Sequence, residues 1–345
     1  MKHENNSNVC DITILGGGPT GLFAAFYAGL RNSSCKIIDS MPMLGGRLIS
    51  VYPEKYIYDV AGFPKILAQD LVSNLVEQIK PYSQEICLNE NAQTLTRTEN
   101  GLWKITTNKQ EHLTKTLIIS AGVGSYSPKK HTGKNAQIFE GKGVSYAVLE
   151  KQAFKNKNVI IAGGGDSALD WANELTQIAK HVTLIHRTDS FRAHGDSVNK
   201  LYKTNARILL NTEILEFHGD SHLKSVTIKN SDTGEETSLP ADDALVMFGY
   251  NSSLGKLNEW GLELVGNGIL VSERMETNLP GIFAAGDIAK HSAKLDLIAT
   301  GFSEAAIAVA FAKVFLNPKE KAQPMHSTTI MEIKEKQAKR KHAQE

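Results

Sequence analysis

Apolar and polar positions along this chain fall into short blocks that repeat. Val9–Leu15 reads V-C-D-I-T-I-L, strand-like in length and in its branched residues. It breaks at Gly16-Gly17-Gly18-Pro19-Thr20-Gly21. Leu22, Ala25, Phe26, Ala28 and Gly29 then follow at helical spacing, and a second strand, Cys35–Ile38, ends in an acid, Asp39. The same order returns later. Val159–Ala162 predicts a strand, Gly163-Gly164-Gly165-Asp166-Ser167-Ala168 a turn, Leu169–Ile178 a helix and Val182–Ile185 a strand. Two copies of strand, glycine turn, helix and strand are more specific than either alone.

Short strands follow each copy. The first half predicts Ile86–Leu88 and Leu102–Thr107, and the second Ile208–Leu210, Ile214–Phe217 and Val226–Lys229. Each half then reaches an apolar strand running into glycine, Thr116–Gly122 and Asp243–Gly249. These glycines mark crossing points between domains. The segment from Asn251 onward holds Gly281-Ile282-Phe283-Ala284-Ala285-Gly286-Asp287 and a helix from about Gly301 to Leu316, but no glycine turn of its own. It therefore completes the first domain. The expected fold class is α/β, with two Rossmann-like three-layer dinucleotide-binding domains, each carrying a small antiparallel β-meander. The expected boundaries are 1–124 and 251–345 for the first domain, with a C-terminal tail, and 125–250 for the second.

Composition narrows the function. The chain has 345 residues, 38 Lys+Arg and 37 Asp+Glu, for a formal net charge of +1. That balance argues against a nucleic-acid binder. The three cysteines, Cys10, Cys35 and Cys87, form no C-x-x-C and lack the close spacing of a zinc site, so no metal is expected. The first residues are polar, and no apolar run is expected to reach the roughly 18–20 residues of a membrane span. The expected address is the cytoplasm.

Both turns fit G-x-G-x-x-G/A, through Gly16, Gly18 and Gly21 and through Gly163, Gly165 and Ala168. The first glycine makes the turn and the second lets a pyrophosphate approach. The third position stays small so that helix and strand pack. The helix N-terminus then offers unpaired N–H groups to phosphate. An ordinary tight loop is the alternative for a single such motif. The second strands separate the two ligands. Asp39 can accept from ribose hydroxyls, which suits FAD or NAD. His186-Arg187, with Arg192 nearby, offers two guanidiniums to a 2′-phosphate, which suits NADPH.

Taken together, G-G-G-P-T-G, G-G-G-D-S-A, H-R-x-x-x-F-R-A (His186–Ala193) and G-I-F-A-A-G-D (Gly281–Asp287) resemble the thioredoxin-reductase group of flavoproteins. That resemblance implies FAD contacts at Gly16, Gly18, Pro19, Thr20, Gly21, Asp39, Gly286 and Asp287, and NADPH contacts at Gly163, Gly165, Asp166, Ser167, Ala168, His186, Arg187 and Arg192. One departure is informative. Thioredoxin reductases read G-V-S-Y-C-x-x-C before the second turn, whereas this chain has Ala147 and Glu150 at the two cysteine positions. Neither side chain can exchange with a disulfide. The three cysteines elsewhere read as buried structural thiols.

Dinucleotide motifs without the dithiol resemble the thioredoxin-reductase-like ferredoxin–NADP(+) reductases. Tyr52–Pro64 is similar to their flavin-side segment, with Tyr52 packing on the isoalloxazine. Arg47, Ala92 and Tyr126 match further FAD contacts. Pro324-Met325-His326-Ser327-Thr328 resembles their C-terminal motif, in which His326 would cover the other flavin face and Thr328 would touch the cofactor. The resemblance implies hydride transfer between NADPH and flavin N5, then one-electron exchange with ferredoxin or flavodoxin. It implies a homodimer; hydride transfer itself requires no general acid–base pair. Gly122–Pro128 and Gly249–Ser253 read as hinges for a domain rotation. Lys129-Lys130-His131 and the basic run Lys334–Lys341 are candidate docking patches. Two other readings stand beside this one. One is an NAD(P)H oxidase or disulfide reductase using an external dithiol. The other is a redox-silent FAD-binding module.

Overall fold

The computed structural model describes residues 9–323 and 325–342, without the side chains of Tyr126, Lys334, Glu335 and 337–342. The chain forms two compact units. The first takes the chain up to Ile49, Lys55–Ser125 and everything from Ser252; the second takes Ser50–Glu54 and Tyr126–Asn251.

In the first unit, Glu85–Cys87, Cys35–Ile38, Cys10–Leu15, Glu111–Ile119 and Ile282–Ala284 lie side by side, all parallel. Ile14 pairs with Ile37 and with Ile118, and all three are fully buried. Such two-sided burial is what a parallel sheet covered on both faces requires. The first half of Glu111–Ile119 also pairs antiparallel with Trp103–Thr107, which pairs with Ala92–Arg97. The expected meander of this unit is thus continuous with its main sheet through one long strand.

Helix Pro19–Leu30 packs against Ala68–Ile79 and Ile298–Leu316, and Phe23 meets Phe302 with ring centroids 5.0 Å apart. At 19 residues Ile298–Leu316 is long and apolar enough to cross a membrane, so the expectation that no run reaches that length is corrected. This helix carries a buried Glu304 and packs Ala305, Ala308, Val309 and Ala312 inside the unit, as a core helix does.

The second unit has a parallel sheet in the order Val144–Ser145, Asp243–Val246, Asn158–Ala162, His181–Ile185, Arg207–Leu209. Alternation along Asn158–Ala162 sends its apolar residues to both faces. Val159 and Ile161 pack with helix Asp166–Leu175, while Ile160 and Ala162 pack toward the antiparallel meander Thr212–Gly219, Leu223–Asn230 and Glu236–Pro240. Helix, sheet and meander make three layers. The connections Ser125–Pro128 and Tyr250–Ser253 pair with each other, and Gly124, at φ +78°, lies so close to Ser253 O that a Cβ there would sit 2.2 Å from it.

His131 is buried in the second unit, with its ring 5.0 Å from that of Phe217, and its Nδ1 accepts the Gly133 N–H at 2.9 Å. Burial drives its pKa down to about 4. The native state therefore holds the neutral ring while the unfolded chain takes up a proton below about 6.5. Stability is fully present above that pH and is lost as pH falls toward 4, by up to about 3 kcal/mol. Urea unfolding of wild type and His131→Phe across this window checks it. The variant should lack most of the slope, and equal slopes would refute the assignment. Lys130 is meanwhile paired with Glu140 at 2.7 Å. The sequence patch Lys129-Lys130-His131 thus loses one charge to the interior and another to an ion pair.

Candidate dinucleotide sites

The first turn is shaped by contacts that leave room for glycine only. At Gly16 (φ +109°) a Cβ would lie 2.5 Å from Ser120 O, and at Gly21 it would lie 1.9 Å from Gly16 O. Gly18 differs. Nothing of the chain lies within 4 Å of where its Cβ would be, so the space in front of it is open. Gly18 precedes helix Pro19–Leu30 with no side-chain cap, and Pro19 takes a first-turn position where no N–H is needed. The helix start therefore offers uncapped N–H groups at an open cradle, which fits a pyrophosphate.

Asp39 closes the other side. Its Oδ2 accepts the Gly17 N–H at 2.5 Å and its Oδ1 the Met41 N–H at 2.8 Å. Burial raises its pKa against these two bonds. Each oxygen keeps capacity for a further donor such as a ribose hydroxyl. The Glu90 N–H donates to Asp39 O, which brings Ala92, at the start of Ala92–Arg97, alongside.

The turn at Gly286-Asp287 is held by the expected Thr20 and by three residues that sequence reasoning missed, Glu304, Lys294 and His291. Thr20 lies against Gly286 and Gly301, with Oγ1 2.8 Å and 2.4 Å from where their Cβ atoms would be. Glu304, 3% exposed, accepts the Gly286 N–H at 2.7 Å. Lys294 Nζ donates to both Glu304 oxygens and to Gly286 O, each at 2.9 Å. His291 Nε2 lies 3.0 Å from Glu304 Oε1. Asp287 stands next to this knot. Burial raises its pKa, as does Asp296, while Lys294, Arg47 and Lys290 pull it down. That places Arg47 in the electrostatic field of Asp287, on the same unit.

The second turn repeats the logic. Gly163 has φ +153°, and a Cβ there would lie 2.7 Å from Met247 O and 3.0 Å from the Ala168 Cβ. Gly165 faces open space and precedes helix Asp166–Leu175 without a side-chain cap. Asp166 Oδ1 accepts the His194 N–H at 2.8 Å, and Ser167 is exposed at the helix start. The His186 ring packs against Gly164, where a Cβ would lie 2.2 Å from its Cε1. It also stacks on Phe191, and Thr188 Oγ1 lies 2.8 Å from its Nε2. Burial lowers its pKa, and Arg192 and Arg187 add to that against a backbone hydrogen bond from its ring to Ser190 O. His186 is thus a neutral ring that shapes the turn. Arg187 and Arg192 are exposed and form no ion pair among the described residues.

Other candidates are placed elsewhere. Tyr52 lies in Ser50–Glu54, which groups with the second unit, where Glu54 accepts the Lys151 N–H at 2.6 Å. Tyr126 is in strand Ser125–Pro128, and its side chain lies outside the described residues. His326 and Thr328 are exposed at the start of helix Ser327–His342. The segment before them is tied to Arg31, whose guanidinium donates to Lys321 O (2.9 Å) and Ala322 O (3.2 Å). Arg31 caps the C-terminal end of helix Pro19–Leu30, whereas the open cradle is at its N-terminal end. Twelve residues separate those ends by about 18 Å.

The cysteines offer no exchange chemistry. Burial raises the pKa of Cys10 and Cys35, and takes Cys87 up to about 11. All three are free thiols. Glu85, Cys87 and His112 lie close enough to ligate a metal. However, Lys36 Nζ already sits 3.0 Å from Glu85 Oε2 and 3.2 Å from His112 Nδ1. His112 Nε2 lies 2.7 Å from Glu90 Oε2. Burial of Glu90 is outweighed by its bonds from His112, Thr107 and Gln110, which hold its pKa low. The cluster is an internal ion network with its own cation.

Two uncapped glycine turns on parallel sheets, with a buried acid at one and two arginines at the other, define a two-dinucleotide flavoprotein oxidoreductase. Residues 10–310 match the family described as pyridine nucleotide-disulphide oxidoreductase. The chain is 49% identical over 325 residues to ferredoxin–NADP reductase 2 of Bacillus cytotoxicus, covering 94% of this chain and 99% of that one. It is 46% identical to ferredoxin–NADP reductase of Geobacillus kaustophilus, covering 96% and 100%. The crystal structure of T. acidophilum thioredoxin reductase superposes with a TM-score of 0.75 at 26% identity, over 91% and 100%. The chain belongs to the pyridine nucleotide-disulphide oxidoreductase family and, within it, to the ferredoxin–NADP reductases, which use FAD and NADP(H).

Proposed function

We propose that the first unit holds FAD and the second NADP(H), and that ferredoxin or flavodoxin exchanges single electrons with the flavin. When bound, FAD would supply hydride chemistry at N5 and one-electron chemistry toward the carrier. The chain's own residues bind and orient. Gly16, Gly18 and Gly21, with Pro19 and Thr20, form the pyrophosphate cradle, Asp39 takes the ribose, and Asp287 on its braced turn takes the ribityl side. Arg47 and the backbone at Ala92 complete the FAD contacts. Gly163, Gly165, Asp166, Ser167 and Ala168 form the second cradle, with His186 packed against it. Tyr52 and Tyr126 are assigned to the flavin side by resemblance.

One observation carries the choice of acceptor. Ala147 and Glu150 stand where thioredoxin reductases keep their dithiol, and none of the three thiols is activated. The enzyme is read as a cytoplasmic homodimer. His326 and Thr328 follow a segment tied to the C-terminal end of helix Pro19–Leu30, the end away from the cradle, so we assign them to the flavin of a second copy.

Anaerobic NADPH should bleach the flavin, and the reduced enzyme should pass electrons to ferredoxin and not to thioredoxin. No bleaching, or preference for thioredoxin, would overturn the reading. Arg187 and Arg192 are free to clamp a 2′-phosphate. Replacing both by Ala should raise KM for NADPH about ten- to a hundredfold, as expected for lost charge-assisted hydrogen bonds. KM for NADH should hardly move. An equal rise for both nucleotides would refute the clamp.

A further inference from the structure

At the foot of the second unit's parallel sheet a cavity of about 270 Å³ opens, lined among others by Lys180, His181, Thr183 and Arg207 and by Ile160 and Leu239. The strands begin here, at Asn158, His181 and Arg207, and end at Ala162, Ile185 and Leu209. The glycine turn follows Ala162, so cavity and turn lie a strand's length apart, on the order of 16 Å for five residues.

The pairing register explains how polar side chains come to line the cavity. Ile160, Thr183 and Arg207 lie in one row across three strands, and paired residues share a face. Ile160 packs toward the meander, in the same cluster as Leu239, so Thr183 and Arg207 begin on that side too. Further along the strands this interface is apolar, with Ala162, Ile185 and Val246. At its foot the sequence gives up that burial for a threonine, a histidine and an arginine.

Charge makes the departure specific. No Asp or Glu lines the cavity. The side chains of Lys180, His181 and Arg207 have no hydrogen-bonded or ion-pair partner among the described residues. Neighbouring lysines are paired, Lys157 with Asp243 at 2.9 Å and Lys151 with Glu174 at 3.4 Å. A recess lined by a guanidinium fork, an ammonium and an imidazole together with aliphatic side chains complements an anion with an apolar body.

We propose that this cleft binds a small organic phosphate monoester, with its phosphate on Arg207, Lys180 and His181 and its apolar body against Ile160 and Leu239. The site is separate from the nucleotide turn, so its occupancy does not depend on turnover. Calorimetric titration of the FAD-loaded enzyme, with NADP+ saturating the nucleotide turn, tests it with phenyl phosphate and inorganic phosphate as probes. Phenyl phosphate should bind saturably and more tightly than inorganic phosphate. Arg207→Ala should weaken it about ten- to a hundredfold. Lys180→Ala, at an exposed position, should weaken it less and guards against a folding defect in the first variant. Arg187→Ala should leave it unchanged. No saturable binding by wild type, or binding that survives both Arg207→Ala and Lys180→Ala, overturns the site. Loss in Arg187→Ala instead would show that the probe reads the nucleotide turn, and equal affinity for inorganic phosphate would overturn the ester assignment.

Discussion

Gly21→Ala should yield no stable FAD-loaded protein. The added methyl would lie 1.9 Å from Gly16 O and 2.8 Å from Ser120 Oγ. The carbonyl is backbone and cannot rotate away, so helix Pro19–Leu30 would have to lift off its strand. That helix also carries contacts to Ala68–Ile79 and Ile298–Leu316, so the disturbance spreads through the unit's core. Gly18→Ala makes the control. Its Cβ meets nothing of the chain within 4 Å, so the fold should survive. The methyl would instead occupy the space assigned to pyrophosphate, and FAD affinity should fall about ten- to a hundredfold, roughly 1–3 kcal/mol of overpacking. Flavin absorbance per protein after purification, with circular dichroism for the fold, separates the two. A yellow, folded Gly21→Ala protein would refute the close-packing role, and undiminished affinity in Gly18→Ala would refute the cradle.

Glu304→Ala should lower stability by about 3–5 kcal/mol, the usual range when one partner of a buried ion pair is removed. Lys294, only 7% exposed, would then lack its carboxylate, and the Gly286 N–H would lose its acceptor. Gly286 holds φ +79° beside Asp287, so release of this turn should also loosen FAD. Glu304→Gln combined with Lys294→Met removes both charges while keeping an acceptor oxygen. This double variant should be more stable than Glu304→Ala, because no uncompensated charge remains. Urea unfolding and the temperature at which flavin fluorescence is released give both readouts. If Glu304→Ala unfolds like wild type and releases FAD at the same temperature, the brace has no role.

Much of the site was legible because dinucleotide turns are local. Gly16 to Asp39 form one continuous unit of chain, and so do Gly163 to Arg192. Glycine spacing, strand period and the terminal acid or arginine are all written within some thirty residues. Elsewhere, local reading had less to work with. Lys129-Lys130-His131 looks like a basic patch, yet His131 is packed against Phe217 and Lys130 is paired to Glu140. Ile298–Leu316 has the length and apolar content of a membrane span, yet it packs against Pro19–Leu30 and buries Glu304 inside the unit.

The sequence by itself determined the repeated α/β plan, the two glycine turns, the identity of the residues at their strand ends and the loss of the dithiol at Ala147 and Glu150. These depend on neighbours in the chain, where spacing alone dictates geometry. Only the tertiary structure decided what braces the turns. Glu304 reaches Gly286 from 18 residues away, Thr20 nests against Gly286 and Gly301, and Lys36 meets His112 across 76 residues. Buried charges must find partners wherever the fold brings them, and strand order, not sequence distance, sets which ones they meet.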